Sequence, residues 1–448
     1  MRFPLPEFEP PQPQRVTLPN GMVLFLMEDQ DLPLVHLQVM VRTGGIYDPP
    51  QQIGLAELAG SLLRSGGTKQ RSGDEVDRWV DQVAAELSVG IGLEACGITL
   101  DLLKQDLDAG LGLLAEIMRY PTFAEEKLIV AKNNALEAIL RRNDRPATTA
   151  NRLLRQQLYG EAHPYAREST EATIGAIRRE DLVAFHQKYF VPNQTMLGVT
   201  GDFDTAEMIQ KIEAAFSEWE PKEVRFQEVP PAVERAAGLY LVSKPISQTQ
   251  LRLGHLGIRQ GNPDFFAVSI LDDILGAGGF SSRLFSDIRT RQGLAYSVGS
   301  VFQAGGLERG LFVAYAETRS EGTEQTLLGI LTHIQKIREE KVSEEEWLRA
   351  RDAFLNAFIF SFASPAQIVG RRISLEYDGL PSNYLEQYRN NVARVTREDI
   401  LRVARKYLHP ERLVILAVGD GERFSLDTFQ DPFGPIQRIT PSQGVRAK

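Results

Sequence analysis

The 448-residue chain has one cysteine, Cys96, so it forms no internal disulfide and holds no cysteine-rich metal site. Histidine is nearly as scarce. The six, His36, His163, His186, His255, His333 and His409, show no ligand-like spacing and read as surface or packing residues. Positive charge is in deficit, with 50 Lys and Arg against 59 Asp and Glu. Nucleic acid and anionic membrane, which need clustered cations, are therefore poor candidates as partners. No apolar run approaches the ~18 residues that a membrane span requires. No Ser/His/Asp or Cys/His arrangement and no phosphate loop stands out. Met1-Arg2-Phe3-Pro4-Leu5-Pro6 lacks the apolar core of a signal peptide. The Pro-rich stretch to Gln14 reads as an extended lead-in, fitting a cytoplasmic protein or the mature form of a periplasmic one.

What the chain does have is a repeat. Glu180-Asp181-Leu182 precedes Lys188-Tyr189-Phe190, Pro192, Val199 and Gly201-Asp202. Glu398-Asp399-Ile400 precedes Lys406-Tyr407-Leu408, Pro410 and Val418-Gly419-Asp420, most of these positions lying 218 residues further on. Each copy predicts an amphipathic helix, a proline break and a buried strand ending at Gly-Asp. Upstream, Thr122-Phe123-Ala124-Glu125 and Ser343-Glu344-Glu345-Glu346 read as capping boxes, each opening a long helical stretch that ends before Pro146 or Pro365. An ordered set of matches at one offset implies two homologous halves. We place them at residues 15–220 and 236–448, joined through Pro221–Arg235.

Within each half, strands and helices mix. Met22–Leu26, Val35–Val41, Leu239–Val242 and Leu251–Ile258 are apolar β-type runs, and Asn20-Gly21 is a turn signal before the first. Ser72-Gly73-Asp74-Glu75 caps a helix whose Val76, Trp79, Val80 and Val83 share one face. The fold class expected is α+β: two tandem homologous domains, each a largely antiparallel sheet with helices packed on one face.

Ile53-Gly54-Leu55-Ala56-Glu57-Leu58-Ala59-Gly60-Ser61-Leu62-Leu63 resembles the catalytic helix of the pitrilysin/insulinase family, which follows Gly-Leu-Ala with an inverted His-x-x-Glu-His zinc motif. Gly201-Asp202-Phe203-Asp204, Ser281-Ser282-Arg283-Leu284 and Gly293-Leu294-Ala295-Tyr296-Ser297-Val298 look like further family signatures, so the resemblance covers nearly the whole chain. The family's chemistry needs two histidines four apart to hold Zn²⁺ and a carboxylate between them as general base. Here Glu57 takes the first histidine position, Gly60 the base position and Ser61 the second histidine position. The family's later glutamate ligand falls on Ala138, beside Glu137. The resemblance thus implies a homologue that has lost its zinc motif.

In active family assemblies the half opposite the zinc offers an Arg and a Tyr seven residues apart to substrate, and Ile288-Arg289-Thr290-Arg291-Gln292-Gly293-Leu294-Ala295-Tyr296 matches that spacing. Locally this reads as a helix over Ser282–Arg291, broken by Gly293, and a strand from Leu294. Both side chains donate hydrogen bonds. An arginine in a last helical turn also complements the helix dipole, and a strand tyrosine also simply packs, so the local pattern leaves the role open. Ala85–Leu93 corresponds to the family's substrate-pairing edge strand. There Ser88 replaces an Asn, and Gly90 and Gly92 leave room for a second backbone; an ordinary edge strand fits equally. Together these imply the non-catalytic subunit of a two-subunit metallopeptidase: a heterodimer with a zinc-bearing homologous subunit, acting on peptide or unfolded protein, with zinc only in the partner and no cofactor of its own. The alternative is a purely structural or interaction protein with a peptidase-like fold.

Overall fold

The computed structural model describes residues 9–441, and the Met1–Pro6 reading lies outside them. The first half contributes strands β1 (Gln14–Thr17), β2 (Val23–Glu28), β3 (Leu34–Arg42), β4 (Glu86–Ile91), β5 (Ala95–Leu103) and β6 (Thr195–Gly201). They form a six-stranded sheet in the order β1-β2-β6-β3-β5-β4, in which β2 and β6 run parallel and the other neighbours antiparallel. The second half contributes β7 (Gly238–Ser243), β8 (Gln248–Leu256), β9 (Ala295–Phe302), β10 (Leu311–Arg319), β11 (Val414–Gly419) and β12 (Ile436–Arg438). Their order is β12-β7-β11-β8-β10-β9. Leaving aside β1 and β12, the two orders correspond strand for strand, as a duplication requires. Residues 219–237, between the halves, carry neither helix nor strand.

The helices of the first half are α1 (Leu55–Ser65), α2 (Gly73–Gln82), α3 (Leu107–Arg119), α4 (Glu125–Arg141), α5 (Pro146–Tyr159), α6 (Glu171–Ala176), α7 (Arg179–Tyr189) and α8 (Thr205–Phe216). Those of the second are α9 (Phe265–Asp272), α10 (Thr323–Glu339), α11 (Glu344–Phe360), α12 (Pro365–Tyr377), α13 (Tyr384–Arg394), α14 (Arg397–Tyr407) and the single turn α15 (Gln430–Phe433). The two repeat segments become α7 with β6 and α14 with β11. Strand alternation sets the inner face: in β3, Val35, Leu37, Val39 and Val41 are buried under the helices while the residues between them are less so. No single helix among the described residues is long and apolar enough to cross a membrane.

The outer face of each sheet is covered by a helix from the other half. Helix α5 lays Ala150 and Leu153 on Val242, Leu416 and Val418 of the second sheet. In return, α12 lays Val369 and Ile373 on Phe25 of the first sheet, among Met27, Met40 and Met196. Glycine makes the second docking close. A Cβ on Gly198 of β6 would sit 2.4 Å from a Val369 methyl and 2.8 Å from Ile373 Cδ1. Each aliphatic side chain so buried contributes roughly 1.5–3 kcal/mol, enough to weld the halves together.

One expected cap does not form. The Ser72 and Ser343 boxes are present, but α4 starts behind Ala124 without a side-chain cap. The Thr122 hydroxyl donates instead to the Gly66 carbonyl at 2.8 Å. Phe123, at φ 50°, turns its ring into the core, where it is 1% exposed. Burying that ring is worth roughly 1.5–3 kcal/mol against about 1 for the cap, so packing decides the local conformation.

Candidate functional site

Helix α1 starts at Gly54, whose φ of 106° favours glycine. The buried Asp48 carboxylate accepts from the Gly54 and Ala56 N–H groups at 2.8 and 2.9 Å. Burial pushes its pKa up to about 6, against those hydrogen bonds. Glu57, Gly60 and Ser61 follow on this helix. Glu57 and Ala138 line a cleft of about 480 Å³. Ser61 is exposed and its hydroxyl donates to the Leu58 carbonyl at 2.9 Å. Glu137 points away from the cleft, half-exposed and paired with Arg141 at 2.7 Å. Gly60 is pressed against β4: an added Cβ would lie 2.8 Å from the Ile91 backbone nitrogen.

These residues do not fit a zinc ion. Of the three carboxylates that line the cleft, Asp48 is taken up by the Gly54 and Ala56 N–H groups and Glu168 by Arg152, which leaves Glu57 where the chemistry needs three ligands and a base, and the base position has no room for a side chain. Its far wall is arginine. Arg152 pairs with Glu168 at 2.8 Å and donates to Asn143 Oδ1 at 2.7 Å. Arg167 donates to the Gly45 and Ile46 carbonyls at 2.8 and 3.0 Å, and burial lowers its pKa. Among the described residues no group of three or more His, Cys, Asp or Glu side chains converges as metal ligands would. His186 and His255 are buried, and that burial pushes both down to about 4, leaving them neutral. Burial pushes the Cys96 thiol up to about 12, so it is inert.

Strand β4 is the edge of the first sheet. Ser88 and Gly90 lie exposed on it, and a Cβ on Gly90 would meet nothing within 4 Å. Gly92 differs. Its N–H donates to the Ala95 carbonyl at 2.8 Å and its own carbonyl accepts from Gly45 at 3.0 Å. The strand's free edge therefore closes after Ile91, and Gly92 has no backbone group left for a pairing chain.

Arg289 and Tyr296 are brought together on the second half. The segment before Gly293 is helical, as its pattern predicts, but Phe285–Arg291 winds at the wider π pitch. Asp287 organises that turn by accepting from Arg291, from Gln292 at 2.7 Å and from His333 at 2.7 Å. Burial alone would raise its pKa; those donors hold it down at about 2. With Arg291 so engaged, Arg289 lies over aromatic rings: its guanidinium carbon is 4.4 Å from the Phe285 centroid, 5.3 Å from Tyr296 and 5.8 Å from Phe280. Cation–π contact orients the guanidinium, and among the described residues none takes up its N–H groups in a hydrogen bond or ion pair. Tyr296, at the start of edge strand β9, is 74% exposed, and Phe280 is 80% exposed. The two phenylalanines are the members that sequence reasoning missed. Their signal, two aromatics within nine residues of Arg289, is legible only once the turn is known.

Comparison with known proteins follows the same outline. Residues 24–169 match the insulinase (peptidase family M16) profile, and residues 176–354 match the peptidase M16 inactive domain. An uncharacterized zinc protease of Rickettsia felis is 24% identical over 397 residues, 87% of this chain and 93% of that protein. A Helicobacter pylori protein, the non-peptidase homolog YmxG, is 24% identical over 377 residues, 83% of this chain and 86% of its own. The solved peptidase M16 inactive domain from Pseudomonas fluorescens superposes with a TM-score of 0.82 at 28% identity, covering 91% of this chain and 98% of that one.

Proposed function

The chain belongs to the insulinase family as a homologue of the non-peptidase type, and on that premise we propose that it is the non-catalytic subunit of a two-subunit pitrilysin-type metallopeptidase. A homologous partner holds the zinc, and this chain supplies the opposite wall of the chamber. It needs no cofactor of its own. The substrate is peptide or unfolded protein, paired as an added strand along Ser88–Gly90, where main-chain hydrogen bonds give affinity without demanding a sequence.

The observation that carries the reading is the state of Arg289. A purely structural arginine in a last helical turn would bond the orphan carbonyls there. This one forms no side-chain hydrogen bond or ion pair with any described residue and rests on rings beside an exposed tyrosine hydroxyl. Donors fixed in that way stabilise the negative charge that develops on a carbonyl oxygen under attack, and removing one costs about 3 kcal/mol, on the order of a hundredfold in rate. The second reading, a purely structural protein, draws on the Arg152–Glu168 pair in the former zinc cleft.

The test is to reconstitute the chain with the zinc-bearing homologue that copurifies from its native source, then compare Arg289→Ala and Tyr296→Phe with wild type. Assembly and partner zinc content should be unchanged while turnover falls steeply. Full activity in both variants, or the absence of any zinc-bearing partner, gives the structural reading the field.

A further inference from the structure

Arg252 stands on β8, directly across from Tyr315 of β10. Leu251 and Leu253, its neighbours on β8, face the core, so Arg252 faces outward, toward α5. It is 7% exposed. A buried arginine is ordinarily paired with a carboxylate, because an uncompensated charge out of water costs several kcal/mol. Among the described residues Arg252 has no such partner within ion-pair distance. Its Nε donates to Asn151 Oδ1 of α5 at 2.5 Å and its Nη1 to the Leu251 carbonyl at 2.8 Å. A guanidinium has five N–H donors, so three remain. Glu317 acts on it only as a more distant charge.

Arg252 lines a cleft of about 370 Å³ between the middle of α5, at Asn151, Leu154 and Arg155, and strands β9 and β10. Arg155, one helical turn beyond Asn151, adds a second cation at the mouth, and Val301 and Val313 supply apolar wall. The Tyr315 ring flanks the Arg252 guanidinium at 5.7 Å. We propose that this cleft, roofed by α5 and floored by the second sheet, binds a small organic carboxylate, with Arg252 holding the carboxylate oxygens and the valines holding an apolar body. The chemistry selects that class. Two cations call for an anion, while a phosphate, polar on every side, would leave oxygens against Val301 and Val313 with no donors. Burial pulls the Arg252 pKa down to about 10, the cost that an incoming anion would relieve. Because α5 comes from one half and the floor from the other, such a ligand stabilises the packing of the halves, whatever the chain's role in peptide cleavage.

The experiment uses the full-length chain and three probes: phenylacetate, its uncharged amide phenylacetamide, and inorganic phosphate. Phenylacetate should raise the thermal midpoint in a dose-dependent way and give a calorimetric isotherm, while the other two should do neither. Arg252→Met should weaken phenylacetate binding on the order of tenfold or more. If that variant does not fold, Arg155→Gln, at an exposed position, serves instead and should weaken binding by a smaller factor. Absence of any phenylacetate effect on wild type overturns the proposal. Equal stabilisation by phosphate, or undiminished binding in whichever variant folds, overturns it as well.

Discussion

Replacing glycine by alanine inside a helix ordinarily stabilises it by about 1 kcal/mol. Gly60→Ala should do the reverse. The new Cβ would lie 2.7 Å from Ile91 Cγ1, 2.8 Å from Ile91 N and 3.1 Å from Ile91 Cβ. The side-chain clash could be relieved by a rotamer change, but the backbone nitrogen belongs to a strand registered on β5 through Ile91 and Cys96. Overpacking of this kind costs roughly 1–3 kcal/mol, and with a backbone atom in the way the upper part of that range applies, so after the propensity gain a net loss of up to about 2 kcal/mol is expected. The internal control is Gly112→Ala on α3, an exposed position where a Cβ meets nothing within 4 Å. Thermal unfolding of the two variants beside wild type should show midpoints moving in opposite directions, by a few degrees each. If Gly60→Ala is as stable as Gly112→Ala, α1 and β4 do not constrain each other, and the account of why the base position stays empty fails. If it behaves as expected, a carboxylate cannot be restored at residue 60 while β4 holds its place.

Two further outcomes can be measured. The isolated chain should carry no stoichiometric zinc by elemental analysis after dialysis, since Glu57, Gly60, Ser61 and Ala138 leave a single donor; about one tightly held ion per chain would refute this. The second concerns Asp272, where α9 ends. Its carboxylate accepts from the Ser300 hydroxyl at 2.5 Å and the Phe302 N–H at 2.8 Å, and burial raises its pKa from 3.8 to about 6, with Asp273 adding to the rise. The unfolded chain ionises this group first as pH rises, so the stability it gives is full below about pH 4 and is lost by about pH 6, a swing of up to ~3 kcal/mol. Asp272→Asn, able to accept from Phe302 and donate to Ser300, should be more stable than wild type at neutral pH. Its advantage over wild type should grow between about pH 4 and pH 6, because Asp48, His186 and His255, which also titrate across that range, are common to both proteins. An unchanged pH profile would refute the assignment.

The duplication was legible because its markers are backbone-determined: prolines after α7 and α14, and the Gly-Asp that ends β6 and β11. Capping was legible at Ser72 and Ser343 and misread at Thr122, whose hydroxyl does not accept from a helix N–H but donates to the Gly66 carbonyl in a neighbouring segment. Arg289 and Tyr296 were found by spacing, but the rings that hold the arginine were not, since π winding depends on Asp287 gathering donors as distant in sequence as His333. Gly92 looked like Gly90 in sequence, and what separates them is tertiary, above all the pairing of Gly45 with the Gly92 carbonyl. Arg252 was hidden inside an apolar run, where one cation reads as an edge-strand residue. Nor does any local pattern say which sheet an amphipathic helix will cover, so the crossing of α5 and α12 to opposite halves had no signature to read.

That crossing bears on how the chain is made. As the first half leaves the ribosome, Ala150 and Leu153 of α5 have no surface to lie on, because the strand carrying Leu416 and Val418 is synthesised almost last. The first sheet likewise keeps Phe25 bare until Val369 and Ile373 emerge. Neither half can finish alone. The molecule has two sheets by geometry and one folding unit by connectivity, and a nick between residues 219 and 237 would leave two fragments clasped together by each other's helices.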